Sequence, residues 1–137
     1  MTTRTRLIVT TAVLTLALAG AVAATSPRDF LTSFEASARK TDASFTASAP
    51  RGQAFFNARH GTDWTCASCH TANPASGGRH IVTGKLIKPL APSAQPDRFT
   101  DPAKVEKWFG RNCEDVLARA CTAREKADVV AWLLTIR

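Results

Sequence analysis

One five-residue pattern constrains this chain more than any other feature of its sequence, Cys66-Ala67-Ser68-Cys69-His70. Two thiols at this spacing can form thioethers with the two vinyl groups of one haem, and the histidine that follows can bind its iron. In a chain of only 137 residues, a covalently held haem would occupy the centre of the core. The pattern therefore predicts one haem c, attached through Cys66 and Cys69, with His70 as the proximal iron ligand.

The same spacing of two cysteines also occurs in redox dithiols and in zinc sites. A thioredoxin-like dithiol would follow a strand in a βαβ context, and the sequence has no such pattern. Zinc would need two further ligands at compact spacing, but Cys113 and Cys121 are eight positions apart and His80 is isolated. Haem attachment is therefore the favoured interpretation.

The N-terminus has the composition of an export signal. Arg4 and Arg6 precede a short apolar run over residues 7–19, and small residues follow at positions 21–24. A membrane anchor is the alternative, but it needs about 20 apolar residues, and this run is shorter and interrupted by threonines. We predict a signal peptide over residues 1–24, cleaved near Ala23 or Ala24, and one monohaem domain over residues 25–137 in the periplasm.

The charge of the chain argues against nucleic acid as a partner. The formal net charge is +7, yet no run of basic residues is longer than Arg39-Lys40. Nucleic-acid binding proteins usually concentrate their cations in patches or stripes. A diffuse positive surface is better suited to steering acidic proteins, such as other electron carriers, towards the chain.

Helical periodicity and capping residues predict a small all-α domain. Apolar residues recur at intervals of three and four, which places them on one face of each helix. The predicted helices start at Ser26-Pro27, at Pro50 with an end near His60-Gly61, at Asp101-Pro102, and at the capping box formed by Thr122 and Glu125. No segment shows the alternation of a strand.

The stretch from Thr71 to Thr100 is rich in proline and glycine and shows no sustained periodicity. Loops of this length are uncommon in compact domains unless they serve a function. We predict a long ordered loop that wraps the haem. Its basic residues are candidates to hold the haem propionates: Arg79, Lys85, Lys88 and Arg98.

The ligand on the other face of the iron is the open question of this sequence. Small electron-transfer cytochromes c commonly use methionine there, but the chain has a single methionine, Met1, and no tyrosine. Met1 lies in the predicted signal peptide. The remaining candidates are His60, His80, a lysine, an asparagine, or no protein ligand.

Among these candidates, Asn112 lies on the apolar face of its predicted helix. It follows Val105 by seven positions, Trp108 by four and Phe109 by three. An amide on such a face needs a partner, because an unpaired buried polar group costs about 1–3 kcal/mol. That partner is either nearby backbone or the haem iron. Coordination by two histidines, with His60 or His80 as the second, remains the alternative.

The two cysteines outside the haem motif are spaced to form a disulfide. Cys113 lies in the predicted helix that starts at Asp101, and Cys121 directly precedes the capping box of the last helix. An exported protein meets the oxidising conditions in which disulfides persist. A Cys113–Cys121 bond would tie the two C-terminal helices together, whereas free thiols are the alternative.

A set of longer motifs runs in order along almost the whole predicted mature chain. These motifs are Gly52 with Phe56, Thr83-Gly84-Lys85, Pro89-Leu90-Ala91-Pro92-Ser93, Pro96-Asp97-Arg98-Phe99-Thr100-Asp101, Val105-Glu106-Lys107-Trp108, Gly110-Arg111-Asn112-Cys113, Cys121-Thr122, Glu125-Lys126-Ala127-Asp128 and Val129 with Trp132. Together with the haem motif they resemble the sphaeroides haem protein family. The first and last of these pairs also resemble the crossing helices of class I cytochromes c.

The resemblance implies a class I cytochrome c-like domain with one haem, His70 as proximal ligand and Asn112 as distal ligand. It also implies that the asparagine leaves the iron on reduction, which opens the site to O2, NO or CO. A disulfide after the asparagine, here Cys113–Cys121, is a further implied feature. The implied protein partners are a dihaem cytochrome c and a membrane cytochrome b.

Three functional hypotheses follow. The first is an electron-transfer cytochrome whose distal ligand leaves on reduction, so that the reduced haem binds a diatomic. The second is a plain electron carrier with two histidine ligands. The third is a haem enzyme that reduces O2, NO or peroxide, and for it the sequence provides no assignable catalytic residue.

Overall fold

The computed structural model describes residues 25–137, which form five helices and one small sheet. The helices are α1 (Pro27–Arg39), α2 (Ala49–Asn57), α3 (Cys66–His70), α4 (Pro102–Leu117) and α5 (Ala123–Leu133). Strands β1 (Gly78–Arg79) and β2 (Leu86–Ile87) pair antiparallel. The predicted signal peptide lies outside the described residues. Within residues 25–137, no helix is long and apolar enough to cross a membrane.

Local capping signals account for three of the helix starts. Ser26 caps α1, Asp101 caps α4 and Thr122 caps α5, each accepting a hydrogen bond from the backbone N–H three residues later. These side chains satisfy donors that have no partner within the helix. The predicted starts of these three helices are therefore confirmed.

The predicted end of the second helix is wrong. The α2 helix ends at Asn57 because Ala58 is extended, with φ −82° and ψ 154°, whereas the prediction placed the end near Gly61. The carbonyl of Phe55 is then satisfied twice, by the N–H of Ala58 at 3.3 Å and by the His60 ring at 2.7 Å. The histidine therefore closes the helix end and leaves Gly61, at φ +98°, in the following loop.

The expectation of no strands is also wrong. In the hairpin, Gly78 pairs with Ile87 and Arg79 pairs with Leu86. Each strand has two residues, which is too short to produce a detectable alternation. The hairpin packs on α3, where a Cβ on Gly78 would overlap the carbonyl of Cys69.

The core forms where α2 and α5 cross. Gly52 lies at the contact, and a Cβ added there would overlap the backbone carbonyl of Asp128. The close approach places the ring centroids of Phe56 and Trp132 5.0 Å apart. The crossing helix pair expected from the sequence is therefore present, with α1 packed against α5.

A buried carboxylate, Asp128, fastens α5 to the start of α2. Its side chain is 10% exposed and accepts hydrogen bonds from the Ser48 N–H at 2.6 Å and from the Arg51 guanidinium at 2.8 and 2.9 Å. Bonds to charged groups are stronger than neutral ones, and this carboxylate has three. The crossing is thus held by polar contacts as well as by packing.

Replacing Asp128 with alanine is expected to lower the free energy of unfolding by about 2 kcal/mol, because it leaves buried hydrogen-bonding groups without a partner. The half-exposed Arg51 can regain water, which limits the loss. Urea titration of the haem-loaded protein measures the effect. The control is Glu106→Ala, which removes an exposed partner of Lys126 and should change stability by less than about 1 kcal/mol. Equal effects in the two variants would contradict this role of Asp128.

Candidate haem site

A largely apolar cavity of about 490 Å³ opens between α3, the hairpin, the segment that precedes α4, and α4 itself. Its size falls within the range of about 300–1,000 Å³ that is usual for small-molecule sites. The four residues that the sequence predicts to bind the haem and its iron all line it, namely Cys66, Cys69, His70 and Asn112. Apolar side chains complete much of the wall, among them Phe55, Phe56, Ile81, Leu86, Leu90, Phe99, Val105, Trp108, Phe109, Val116, Val129 and Leu133.

The haem motif forms the one-turn helix α3. Thr65 caps its start and exchanges hydrogen bonds with Ser68, which fixes the direction of the turn. The helix ends at His70, and Thr71 follows it with a positive φ of 62°. This single turn directs both free cysteines and His70 into the same cavity, as attachment of one haem requires.

Burial shifts the pKa values of His70 and Cys66, both in α3, in ways that bear on their roles. Burial, with a smaller contribution from the charge of Arg98, lowers the pKa of His70 to about 4. The imidazole is therefore neutral at physiological pH, which is the form that binds a metal. Burial raises the pKa of the Cys66 thiol to about 11. A reactive dithiol needs a lowered thiol pKa, so this environment disfavours the redox-dithiol alternative.

The zinc alternative needs a cluster of ligands. Residues 25–137 contain no group of three or more histidine, cysteine, aspartate or glutamate side chains that could hold a metal ion. Cys113 and Cys121 are joined by a disulfide, with Cα atoms 5.5 Å apart, so neither thiol can serve. The predicted disulfide is confirmed. A haem needs only the two thiols and one imidazole that α3 supplies.

Asn112 faces the cavity from α4. It shares the helix face of Val105, Trp108 and Phe109, all of which also line the cavity, as helical spacing predicts. Its half-buried side-chain amide forms no hydrogen bond with any residue in the described part of the chain. The backbone next to it is fixed by the Cys113–Cys121 disulfide.

The structure distinguishes His60 from His80, the two histidines that the sequence offers as alternative distal ligands. His60 does not line the cavity; it is held by the Phe55 carbonyl at 2.7 Å and packs on the Phe55 ring at 4.3 Å. His80 does line the cavity. However, its Nδ1 accepts hydrogen bonds from the N–H groups of Val82 and Thr83 at 3.3 and 3.2 Å. The proton then lies on Nε2, so the nitrogen free of these bonds has no lone pair for a metal.

Only some of the candidate propionate partners reach the cavity. Arg98 and Lys85 line it, whereas Lys88 and Arg79 do not. Arg98 also donates to the carbonyls of Pro89 and Lys88, both at 2.8 Å, which holds it in place. A further cation, Lys104, also lines the cavity and was not among the predicted propionate partners. It lies in the first turn of α4, directly before Val105 and one turn before Trp108, which belong to the apolar face that the sequence predicts.

Comparison with known proteins identifies the family. A family model described as a domain of unknown function, DUF1924, matches residues 42–133. The chain is 48% identical over 127 residues to the cytochrome c-type protein SHP of Cereibacter sphaeroides, covering 88% of this chain and 94% of that protein. It is also 50% identical over 88 residues to cytochrome c'' of Methylophilus methylotrophus, covering 61% of each.

Solved structures agree with these relatives. The structure of oxidised SHP, described as an oxygen-binding cytochrome c, superposes with a TM-score of 0.72 at 46% identity, covering 82% of this chain and 98% of that one. The crystal structure of oxidised cytochrome c'' superposes with a TM-score of 0.73 at 40% identity, covering 81% and 94%. A solution structure of cytochrome c'', concerned with haem-ligand detachment, gives 0.72 at 40% identity, covering 80% and 92%.

The helical fold and the cavity beside α3 define a class I-like monohaem cytochrome c. Within that class, the chain belongs to the sphaeroides haem protein family, and its residues 42–133 belong to the DUF1924 family. Its cofactor is accordingly one covalently bound haem c with iron. This outcome confirms the family resemblance, the fold class and the cofactor predicted from the sequence.

Proposed function

We propose that this protein is a periplasmic electron-transfer cytochrome whose distal ligand leaves the iron on reduction, so that the reduced form binds a diatomic molecule. Cys66 and Cys69 form the two thioethers, His70 is the proximal ligand and Asn112 is the distal ligand. When bound, the haem would supply reversible one-electron chemistry and an iron that can take up a diatomic molecule. Residues 1–24 direct export, and residues 25–137 form the single haem domain.

One observation carries the assignment of Asn112. Its amide lines the cavity that also receives His70, and it has no hydrogen-bond partner within residues 25–137. Within residues 25–137 no fully buried side-chain nitrogen or oxygen lacks a partner, so this amide is open to the cavity, and a group that fills the cavity must either satisfy it or leave it unpaired at a cost in free energy. The amide oxygen is therefore available to the iron, whereas His60 and the Nδ1 atom of His80 are already engaged.

The chemistry of an amide oxygen explains why Asn112 would leave on reduction. Oxygen donors are hard ligands that suit a highly charged metal, and a neutral amide is a weak one. Asn112 therefore binds the oxidised iron and loses its hold when the charge of the iron falls. The relatives support this proposal, since SHP is described as oxygen-binding and a study of cytochrome c'' addresses haem-ligand detachment.

A second candidate is an electron carrier with His80 as distal ligand, because His80 also lines the cavity. It would have to give up the hydrogen bonds from Val82 and Thr83 and move its proton from Nε2. Such a carrier would keep both ligands in both redox states and would not bind a diatomic. Asn112 requires no such rearrangement, which is why we favour it.

We further propose that the electron partners are other cytochromes, namely a dihaem cytochrome c and a membrane cytochrome b, and that O2, NO and CO are the diatomic ligands. The chain carries a formal net charge of +7, and no run of basic residues is longer than Arg39-Lys40. Such a surface favours encounters with acidic proteins.

Spectroscopy of the purified haem-loaded protein tests the proposal. We expect six-coordinate iron in the oxidised protein, five-coordinate iron after reduction, and stoichiometric binding of CO by the reduced protein only. Optical and EPR spectra in both redox states, followed by CO titration, provide the measurement. A reduced protein that remains six-coordinate and does not take up CO would support the His80 alternative instead.

A further inference from the structure

A second recess lies on the surface next to the haem cavity. It has a volume of about 260 Å³ and is lined by Gly61, Thr62, Asp63, Trp64 and Asp115. Trp64 and Asp115 line the haem cavity as well. These two side chains therefore form a common wall, with solvent on one side and the haem cavity on the other.

The common wall lies close to Asn112. Asp115 follows Asn112 by three positions on α4, so both side chains lie on neighbouring parts of one helix face. The segment that carries Trp64 is tied to the same part of α4, because the Thr62 hydroxyl donates to the Val116 carbonyl at 2.7 Å. The recess thus adjoins the part of the cavity that holds the proposed distal ligand.

We infer that this recess is the access route of the diatomic ligand to the distal side of the haem, with Trp64 and Asp115 as its barrier. The inference rests on the proposed function, since it concerns the site that Asn112 leaves on reduction. A wall of two side chains can open through their rotation.

The charge of the recess indicates which ligands it admits. Asp63 and Asp115 both present carboxylates, and neither forms a salt bridge with a residue of the described chain. Two such charges in the recess repel anions but have little effect on uncharged molecules. The route is therefore suited to neutral diatomics such as O2, NO and CO, and it discriminates against small anions.

A different route is conceivable along the edge where Leu86 and Trp108 line the cavity. These residues belong to β2 and to the middle of α4, away from the recess. Substitutions on the two sides therefore distinguish the routes. Trp64→Ala opens the proposed route, and Trp108→Ala opens the competing one.

Rebinding of CO to the reduced haem-loaded protein after flash photolysis provides the test. We expect Trp64→Ala to raise the second-order rate constant several-fold and to raise it more than Trp108→Ala does. Asp115→Trp, which adds bulk to the wall, should lower the rate constant several-fold. Glu114→Trp places the same side chain, with loss of the same charge, at the adjacent exposed position outside both the recess and the cavity, and should leave the rate constant unchanged.

The outcomes separate this inference from the proposed function. If the unaltered reduced protein does not bind CO, the proposed function fails. If it binds CO, but Asp115→Trp behaves like Glu114→Trp or Trp108→Ala accelerates binding more than Trp64→Ala, the access route is wrong while the proposed function stands. If Trp64→Ala does not retain its haem, the pair Asp115→Trp and Glu114→Trp decides alone.

Discussion

Replacement of Asn112 with alanine is expected to convert the iron of the oxidised protein from six-coordinate to five-coordinate or water-bound, while the spectrum of the reduced protein changes little. The physical reason is that Asn112 contributes only to the oxidised state in the proposed function. Its amide has no hydrogen-bond partner in the described chain, so its removal leaves no protein group unsatisfied. Optical and EPR spectra of both redox states measure the change.

The same substitution should raise the reduction potential. A ligand that binds only the oxidised iron stabilises that form, and its loss favours the reduced one. For a one-electron couple, the reduction potential rises by about 59 mV for each factor of ten by which Asn112 binds the oxidised iron more tightly than the reduced iron. A redox titration of both proteins therefore measures the preference directly.

His80→Ala is the matched comparison, because His80 is the other candidate that lines the cavity. We expect this variant to keep the coordination of the unaltered protein in both redox states. If His80→Ala, and not Asn112→Ala, removes the sixth ligand, the two-histidine carrier is correct and the proposed gating by Asn112 is wrong.

Gly52→Ala is expected to lower the free energy of unfolding by about 3 kcal/mol, the upper part of the usual range for overpacked cores. The added Cβ would overlap the carbonyl of Asp128, and backbone at a helix crossing cannot move aside as a flexible side chain can. Separation of α2 from α5 would also strain the Phe56–Trp132 packing and the bond from Ser48 to Asp128. Urea denaturation of the haem-loaded protein measures the loss.

Gly110→Ala provides the control, since Gly110 lies in the interior of α4 and an added Cβ there meets no atom within 4 Å. Alanine is a better helix former than glycine by about 1 kcal/mol, so this variant should be more stable than the unaltered protein. Opposite signs for the two glycine substitutions would confirm that the contact at Gly52 dominates. Equal effects would show that it does not.

Structural roles that depend only on nearby residues in the chain could be predicted from the sequence. The capping side chains Ser26, Asp101 and Thr122 accept hydrogen bonds from three residues away, and the predicted helix starts were therefore correct. The hairpin and the end of α2 were missed for the opposite reason. Two-residue strands leave no periodic signal, and the His60 contact that closes α2 offers no pattern in sequence.

The sequence by itself determined the cofactor and the small set of possible distal ligands. The cofactor follows from the spacing of Cys66, Cys69 and His70, because attachment of a haem requires these three residues close together in the chain. The set of distal ligands is small because the chain has no methionine other than Met1. Only the tertiary structure decided which candidates reach the cavity. His60 and His80 are engaged by groups close to them in the chain, His60 by the Phe55 carbonyl and His80 by its own turn, whereas Asn112 faces the cavity with no hydrogen-bond partner among residues 25–137. Helical spacing placed Asn112 on an apolar face, but the crossing of α2 with α5 and the packing of α4 determine that a haem cavity lies beneath that face.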